Sequence, residues 1–507
     1  MLLLVYALLV GVYFVARAGG YWAENDTAAL SLAMRVVERT GSLTTGAIYG
    51  NGYGYSALSV FLVSLSGVSV ATLQQVLYPL LSALLVIPAW ALYRELTGTG
   101  RAATLASVLL FTQPEFMFVI LRGSHERLLR FFMLMMLWLL ARSFRLRHEP
   151  RQFALHVILF YACAYGLVST NAFFATSFVL ACALAMLGGW GLGHVRPRVG
   201  GPAKDTARRL AIIGPAVLVL GFVFIFYIYP VASRVLVFEH NLAQQTAAVT
   251  LTTEGSSQAV NPYNLVVGAW ISLPVYAVIS VGDYLLMAAG AAVWLWQGWQ
   301  WLRGANAFPT VGRWLLWLFF ASFALQGGAA VLADRTGLLG GNLEYRAFPS
   351  FAMMAAPLAA TAITAWRPAR VGAWAGGTIL GILAGIALLK ATNEPALSNV
   401  WTYYTRDELA AMSWADAHLR ASAVWSGFDG RLNAAYGTAV GNSSVGNLWE
   451  SGDSRGASAH TFLISNTIRL QAARFLTPLP EAALEDRVYD SGSVQIYHLL
   501  PRTPYQS

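Results

Sequence analysis

Long apolar segments separated by short polar ones dominate the first part of this 507-residue chain. A helix needs about 20 consecutive apolar residues to cross a bilayer, and many of the uncharged segments approach or reach that length. The pattern therefore predicts a polytopic α-helical membrane protein. The eleven predicted spans are residues 2–16, 70–93, 102–121, 128–141, 153–169, 172–188, 210–229, 284–302, 314–333, 347–366 and 371–389.

One further apolar segment, residues 263–281, does not fit the alternation of these spans. If it crossed the membrane, every later loop would change sides. Arg303 and Arg313 would then face outward, against the usual excess of basic residues in cytoplasmic loops. We therefore predict a re-entrant or interfacial helix there, and a twelfth span is the alternative.

The charge pattern supports the same class of protein. Charged residues make up 11% of the chain and hydrophobic residues 57%, whereas a soluble domain carries roughly 25% charged residues. The net charge is +9, and the basic residues cluster in short loops on one predicted side. That is the distribution of cytoplasmic loops, so no nucleic-acid partner is predicted. Cys163 and Cys182 lie inside apolar segments and predict no disulfide framework.

The composition changes near residue 392, where long apolar segments stop and Asp, Glu, Asn and Gly increase. We predict a transmembrane domain over residues 1–391 and an extracytoplasmic soluble α/β domain over residues 392–507. Two alternating segments about a Ser-Gly turn predict a β-hairpin over residues 487–497. The other predicted elements of this domain are a helix over 405–420 and strands over 423–428 and 461–466.

The first predicted outer loop, residues 18–69, carries Glu24 and Asp26 where the chain leaves its first span. Asp26 suits the N-cap of a helix over residues 27–39, because its carboxylate can accept backbone N–H bonds. That helix has one apolar and one charged face, which is typical of a helix lying flat at the membrane surface. Two interpretations stay open for both acids: an ordinary capped loop, or a base or metal ligand that faces a lipid-borne substrate.

Ionisable residues from distant parts of the chain share the predicted outer side. A charge at the bilayer centre costs ~2.5–3.5 kcal/mol on insertion scales and usually has a role. Carboxylates with a histidine can bind Mg²⁺ or Mn²⁺, and an arginine can bind a phosphate bidentately. Taken singly, each of these residues could instead be a solvated loop residue or one partner of an ion pair. Glu115 and Arg122 could form such a pair. The set comprises Glu24, Asp26, Glu115, Arg122, His125, Glu126, Glu254, Asp334, Arg335, Glu344 and Arg346.

Four stretches in this order resemble the GT-C membrane glycosyltransferases, most closely the catalytic subunit of oligosaccharyltransferases. They are Glu24-Asn-Asp26, Arg122-Gly-Ser-His-Glu126, Thr252-Thr-Glu254 and Glu344-Tyr-Arg-Ala-Phe-Pro349. The soluble domain departs from the family. Trp425-Ser-Gly-Phe-Asp-Gly430 stands where the family has its Trp-Trp-Asp-Tyr-Gly motif, which reads the acceptor sequon, so the resemblance does not extend to sequon reading.

The resemblance implies an inverting transfer of a sugar or oligosaccharide from a polyprenyl-phosphate-type lipid donor. The acceptor would be a glycan, a protein or a lipid at the outer face of a prokaryotic cell membrane. The implied catalytic residues are Asp26, Glu24 and Glu254. The implied ligands of a divalent cation, Mn²⁺ or Mg²⁺, are Asp26, His125, Glu126 and Glu254. The implied donor-phosphate ligands are Arg346 and Arg122. The mobile loop of the family corresponds to residues 230–262.

Three other functions stay open at this stage. A ligase or polymerase of lipid-linked glycans would share the donor chemistry. A secondary transporter would need broken helices and charges at mid-depth in the membrane. A non-enzymatic envelope assembly protein would need no clustered acids. Convergence of Asp26, Glu126 and Arg346 at one outer cavity would favour the enzyme.

Overall fold

The structure is a computed structural model that describes most of the predicted membrane domain and parts of the C-terminal domain. The described residues are 2–18, 25–43, 52–146, 149–195, 277–305, 307–336, 343–365, 370–391, 404–419, 461–469 and 486–498. The helices are α1 (Leu2–Ala18), α2 (Asn25–Thr40), α3 (Gly54–Ser66), α4 (Val70–Thr97), α5 (Gly100–Phe111), α6 (Pro114–Leu121), α7 (Glu126–Arg145), α8 (Pro150–Thr170), α9 (Ala172–Val195), α10 (Val281–Leu302), α11 (Val311–Thr336), α12 (Leu343–Ala365), α13 (Arg370–Ala391) and α14 (Arg406–His418). The strands are β1 (Thr461–Ser465), β2 (Arg487–Asp490) and β3 (Val494–His498).

The membrane helices confirm the predicted class of protein. By length and composition alone, six helices among the described residues could cross a membrane, or up to seven if α5 and α6 count as one span. The predicted span over 210–229, the loop over 230–262 and nearly all of the segment 263–281 lie outside the described residues. The choice between eleven and twelve spans therefore stays a prediction.

The predicted span over residues 102–121 is wrong in one respect, because it is not a continuous helix. α5 ends at Phe111, α6 begins at Pro114, and the two helix axes meet at 73°. A proline disfavours helical backbone at the residue before it, and Gln113 is accordingly extended, with ψ 122°. The chain therefore turns sharply just before it reaches the stretch that begins at Arg122.

The helix predicted over residues 27–39 also has a different start. α2 begins at Asn25, so Asp26 lies in its first turn and is not the N-cap. The predicted two-faced character is confirmed. Leu30, Ala33 and Met34 are buried, whereas Glu38 and Arg39 are exposed.

α12 lies at the centre of the helical bundle and packs against α5, α10 and α11. Its residues 352–360 are almost entirely buried. Small side chains allow these contacts: a Cβ on Gly290 of α10 would come within 2.9 Å of the Ala355 side chain. α12 begins at Leu343, so this central position fixes where Arg346 lies.

The contact between α11 and α4 supplies a test of this packing. A Cβ on Gly312 would overlap the Glu95 carbonyl oxygen and lie 3.1 Å from the Leu96 Cα. Overpacking of this kind costs about 1–3 kcal/mol, so we expect Gly312→Ala to lower the thermal stability of the purified protein. Gly328 lies on the same helix with nothing within 4 Å of a Cβ. Gly328→Ala should be neutral or stabilise by up to ~1 kcal/mol. Equal melting curves for the two variants would contradict the helix contact.

Two arginines lie at the end of α7 opposite to Glu126. Glu95 of α4 binds Arg142 at 2.6 Å and Arg145 at 2.9 Å. α7 has 20 residues and is therefore about 30 Å long at 1.5 Å per residue. These arginines consequently lie one membrane thickness from Glu126, at the other end of the helix.

The described part of the C-terminal domain packs one helix on one sheet. β3 lies between β1 and β2 with antiparallel pairing to both, which confirms the hairpin predicted over 487–497. α14 begins with a capping box, in which Thr405 and Glu408 bond each other's backbone N–H groups. Its Ala411 and Met412 pack on Leu463 and Ile496. The predicted strand over 423–428 and the stretch 425–430 lie outside the described residues.

Candidate functional site

Three helix N-termini meet at one end of the bundle. α7 begins after His125, α9 begins after Asn171, and α12 begins at Leu343. The Asn171 side-chain amide contacts the His125 ring at 2.9 Å, and Arg130 of α7 donates to the Arg346 carbonyl of α12 at 3.3 Å. A helix N-terminus carries unpaired N–H groups and about half a positive charge. Their convergence makes this end of the bundle electropositive.

Glu126 lies between two arginines at the start of α7. Its carboxylate is 3.4 Å from the Arg122 guanidinium and 3.9 Å from that of Arg130. All three side chains are buried. Ser124 Oγ accepts the Glu126 backbone N–H at 3.2 Å and holds the preceding turn. One carboxylate thus faces two guanidinium groups. The described side chains of this cluster therefore carry a net positive charge.

Arg130 connects this cluster to α12. Its side chain is fully buried and donates to Ser350 Oγ at 2.6 Å, in addition to the Arg346 carbonyl. The guanidinium also lies over the Phe174 ring at 4.8 Å, which is a favourable cation–π geometry. Arg130 therefore positions the first turn of α12, and with it the Arg346 side chain.

Arg346 is exposed at the surface of the cluster. Its guanidinium lies 6.0 Å from the Phe173 ring centre, and its positive charge acts on both His125 and Glu126. A guanidinium at an exposed position beside buried ones can bind an added ligand without breaking the fold. The arrangement can accept an anion such as a phosphate.

His125 is buried and electrically neutral. Burial lowers the pKa of its imidazole to about 3, against the smaller opposing effect of Glu126 and with a further lowering by Arg122, Arg346 and Arg130. The ring also makes an edge contact with Tyr55, with 6.5 Å between ring centres. At neutral pH His125 is therefore a hydrogen-bonding group and not a cation.

Tyr55 joins this cluster to the first outer loop. Its ring packs with Leu30 and Met34 of α2, and its hydroxyl donates to Gln74 at 2.8 Å. Tyr55 thus belongs to the same buried cluster as two residues of α2 and also contacts His125. Gly52 precedes Tyr55, and a Cβ there would clash with the Ser169 and Thr170 carbonyl oxygens. Glycine lets this segment lie against the end of α8, next to Asn171.

The structure brings together four of the seven site residues predicted from the sequence: Arg122, His125, Glu126 and Arg346. Asp26 lies at the start of α2, whose later turns pack on Tyr55; its side chain is outside the described part of the structure. Glu24 and Glu254 lie outside the described residues altogether.

The described side chains do not fit a divalent cation on their own. Among them, no three His, Cys, Asp or Glu residues lie close enough together to hold a metal ion. Glu126 is paired with two arginines, and each guanidinium would repel a bound cation. The same residues fit a phosphate group, because guanidinium groups bind phosphate oxygens bidentately.

A second buried cluster holds the bend between α5 and α6. Lys390 of α13 donates to Glu115 of α6 and to Ser280 Oγ at 3.1 Å, and it lies 3.7 Å from the Asp283 carboxylate of α10. The expected pair of Glu115 with Arg122 is therefore wrong, because the carboxylate of Glu115 binds Lys390. This cluster joins three helices just beside the candidate site.

Sequence reasoning missed Arg130, Asn171 and Tyr55. Arg130 lay inside the predicted span over 128–141, and an arginine within an apolar span is itself a signal of function. Asn171 stood between two spans as an ordinary turn residue. Tyr55 lay in a Gly- and Tyr-rich strip that gave no local sign of its contact with His125.

Comparison with known proteins identifies the fold. No family model matches the chain, and no curated protein sequence matches it. Solved structures of the Archaeoglobus fulgidus oligosaccharyltransferase are similar. The apo form has a TM-score of 0.55 and 11% identity, covering 91% of this chain and 69% of the other. The complex of AglB with an inhibitory peptide and a dolichol-phosphate has a TM-score of 0.55 and 11% identity, covering 99% and 74%. The complex with Zn and sulfate has a TM-score of 0.51 and 13% identity, covering 82% and 55%.

The chain therefore has the fold of the GT-C membrane glycosyltransferases. The similarity to the archaeal oligosaccharyltransferase AglB extends over 99% of this chain. At 11–13% identity this likeness establishes the fold and leaves the reaction to be argued from the residues.

Proposed function

We propose that the chain is a membrane glycosyltransferase that moves a sugar or oligosaccharide from a polyprenyl-phosphate-type lipid to a glycan, protein or lipid acceptor. The reaction takes place at the outer face of the cell membrane, with the C-terminal domain on the same side. One observation carries the proposal: Arg122, Arg130 and Arg346 surround the start of α7 in a GT-C fold. Three helix N-termini add to the positive charge there.

The charge at this cluster suits the leaving group of such a transfer. The bond between the sugar's anomeric carbon and the phosphate oxygen breaks, and the lipid phosphate leaves with the electron pair. Arginine side chains and helix N-termini stabilise that developing negative charge, and loss of one such donor typically costs ~10²–10³ in rate. Arg346 and Arg122 are the proposed phosphate ligands. Arg130 holds Arg346 in place through α12.

The acceptor is activated in this proposal by an acid of the first outer loop. Asp26 accepts the proton from the acceptor as the acceptor attacks the anomeric carbon from the face opposite to the phosphate, which inverts the configuration. Glu24 and Glu254 are the other proposed catalytic acids. A divalent cation, Mn²⁺ or Mg²⁺, with Asp26, His125, Glu126 and Glu254 as ligands, stays a prediction from the resemblance, and the proposed reaction is not routed through it.

Replacing Asp26 tests the base directly. We expect Asp26→Asn to lower transfer by at least ~100-fold, since general-base catalysis contributes ~10²–10⁴. Asp26 lies in the first turn of α2, where loss of a negative charge costs about 0.3–1 kcal/mol, so the melting temperature should fall only slightly. Glu38→Gln, an exposed change on the same helix, is the matched control and should retain full activity. Normal turnover in Asp26→Asn would remove Asp26 from the mechanism.

The function itself is tested with purified protein and a pool of polyprenyl-linked sugars. The protein is incubated with the pool and with Mn²⁺, and both the lipid and the acceptor fractions are analysed by mass spectrometry. We expect loss of the lipid-linked sugar, release of polyprenyl phosphate or diphosphate, and a glycosylated product. A pool that stays unchanged over many hours would contradict the proposal.

A further inference from the structure

Asn171 presents its side-chain amide in a fixed orientation. It is the residue before α9, its backbone is extended (φ −162°, ψ 114°), and its Oδ1 accepts the Phe174 backbone N–H at 3.2 Å. This is an N-cap hydrogen bond to the third residue of the helix. Because a backbone N–H can only donate, the atom that faces it is the amide oxygen. The amide nitrogen therefore faces His125.

That orientation decides which nitrogen of His125 carries the proton. The Asn171 Nδ2 lies 2.9 Å from the His125 Nε2, and an amide nitrogen is only a donor. Nε2 must accept this hydrogen bond with its lone pair. A neutral imidazole then has its proton on Nδ1.

This tautomer does not suit a metal ligand. A metal ion binds the unprotonated ring nitrogen, and the second nitrogen usually donates to an acceptor group. Here the unprotonated Nε2 is used by Asn171, and Nδ1 holds the proton. The guanidinium groups of Arg122, Arg130 and Arg346 around His125 also favour an anion over a cation at this place.

We propose that Asn171 fixes His125 as the tautomer protonated on Nδ1, and that His125 thereby donates a hydrogen bond to the lipid phosphate and does not bind a metal ion. This inference rests on the proposed function for its ligand. It gives Asn171 the role of a positioning residue, because Asn171 acts on the phosphate only through the His125 ring. The proposal also removes His125 from the set of metal ligands that the resemblance implies.

The tautomer can be measured without any substrate. The protein is labelled with ¹⁵N-histidine in lipid nanodiscs, and a His125→Gln spectrum identifies the His125 signals among the eight histidines. We expect a protonated Nδ1 and an unprotonated Nε2. Asn171→Ser keeps an N-cap oxygen but removes the amide donor, and it should abolish this preference without unfolding α9. A His125 protonated on Nε2, or on both nitrogens, in the unmodified protein would overturn the proposal.

The hydrogen bond to phosphate is tested by binding of undecaprenyl phosphate in EDTA. An asparagine amide can replace the Nδ1–H donor, whereas a glutamine amide extends to the Nε2 position. His125→Asn should bind within about threefold of the unmodified protein, while His125→Gln should bind about tenfold more weakly, the value of one hydrogen bond of about 1.4 kcal/mol. Equal losses in the two variants would overturn the proposal, as would tight binding of Mn²⁺ alone that both variants abolish. If the unmodified protein binds no polyprenyl phosphate, the proposed function fails as well, and the NMR result still decides the pairing of Asn171 with His125.

Discussion

Replacing Arg346 by alanine is expected to weaken the binding of a polyprenyl phosphate by about 10- to 100-fold and to leave the melting temperature unchanged. A hydrogen bond to a charged group contributes about 1.5–3 kcal/mol, and 1.4 kcal/mol is a factor of ten in affinity. The side chain is exposed, so its removal leaves no buried group without a partner. The Arg346 carbonyl, which accepts from Arg130, is still present in the alanine variant.

Binding of the purified variants to undecaprenyl phosphate measures this effect. Arg101→Ala is the matched control, because Arg101 is also exposed but belongs to the predicted cytoplasmic side. Arg346→Lys should show an intermediate affinity, since lysine keeps the charge but loses the bidentate geometry. The same affinity in Arg346→Ala and the unmodified protein, or an equal loss in Arg101→Ala, would exclude Arg346 as a phosphate ligand.

Replacing Glu126 by glutamine is expected to lower the free energy of unfolding by about 3–5 kcal/mol, the usual cost of removing one partner from a buried ion pair. The change would remove the carboxylate that faces the buried guanidinium groups of Arg122 and Arg130. Repulsion between the two guanidinium groups would also disturb Arg346 through the contact of Arg130 with α12. We therefore expect loss of glycosyl transfer as well.

Glu95 provides a matched comparison, because it also binds two arginines and its side chain is only 6% exposed. Its partners Arg142 and Arg145 are 39% and 68% exposed, so water can solvate them after Glu95→Gln. The cost of that variant should be about 1 kcal/mol, as for partly exposed ion pairs. Thermal unfolding of the two variants in the same detergent measures the difference. Equal stability of the two would contradict the buried arginine cluster.

Elements that depend on local sequence could be predicted well. The hairpin around the Ser-Gly turn is present, with Gly492 at φ 82°, because a turn of this kind requires a positive φ that glycine tolerates. The helix predicted from residue 405 starts there because Thr405 and Glu408 form a capping box. α1 begins at its predicted residue, and α8 begins three residues before its predicted start. The length of an apolar segment is enough to locate helices of this kind.

The bend at Phe111–Pro114 could not be predicted from the apolar pattern. That pattern indicates which residues are buried in lipid, but it does not indicate the direction of the helix axis. Pro114 was a local sign of it. The contact that holds the bend joins Glu115 to Lys390, which is 275 residues away in sequence. No local signal connects such a pair.

The residues of the candidate site could be predicted from the sequence only in part. Arg122, His125, Glu126 and Arg346 stood out because charged residues near apolar segments are rare. Their arrangement depends on Arg130, which reaches Ser350 across 220 residues, and on Asn171, which contacts His125 across 46. These contacts follow from the packing of α7, α9 and α12, which the sequence does not reveal.

The most direct measurement is an experimental structure of the protein with bound undecaprenyl phosphate. We expect the phosphate beside the N-terminus of α7, within hydrogen-bonding distance of the Arg346 and Arg122 guanidinium groups and of the His125 ring. Phosphate density at another place, such as beside Lys390, or a lipid whose phosphate contacts none of these residues would contradict the arginine cluster as the donor site.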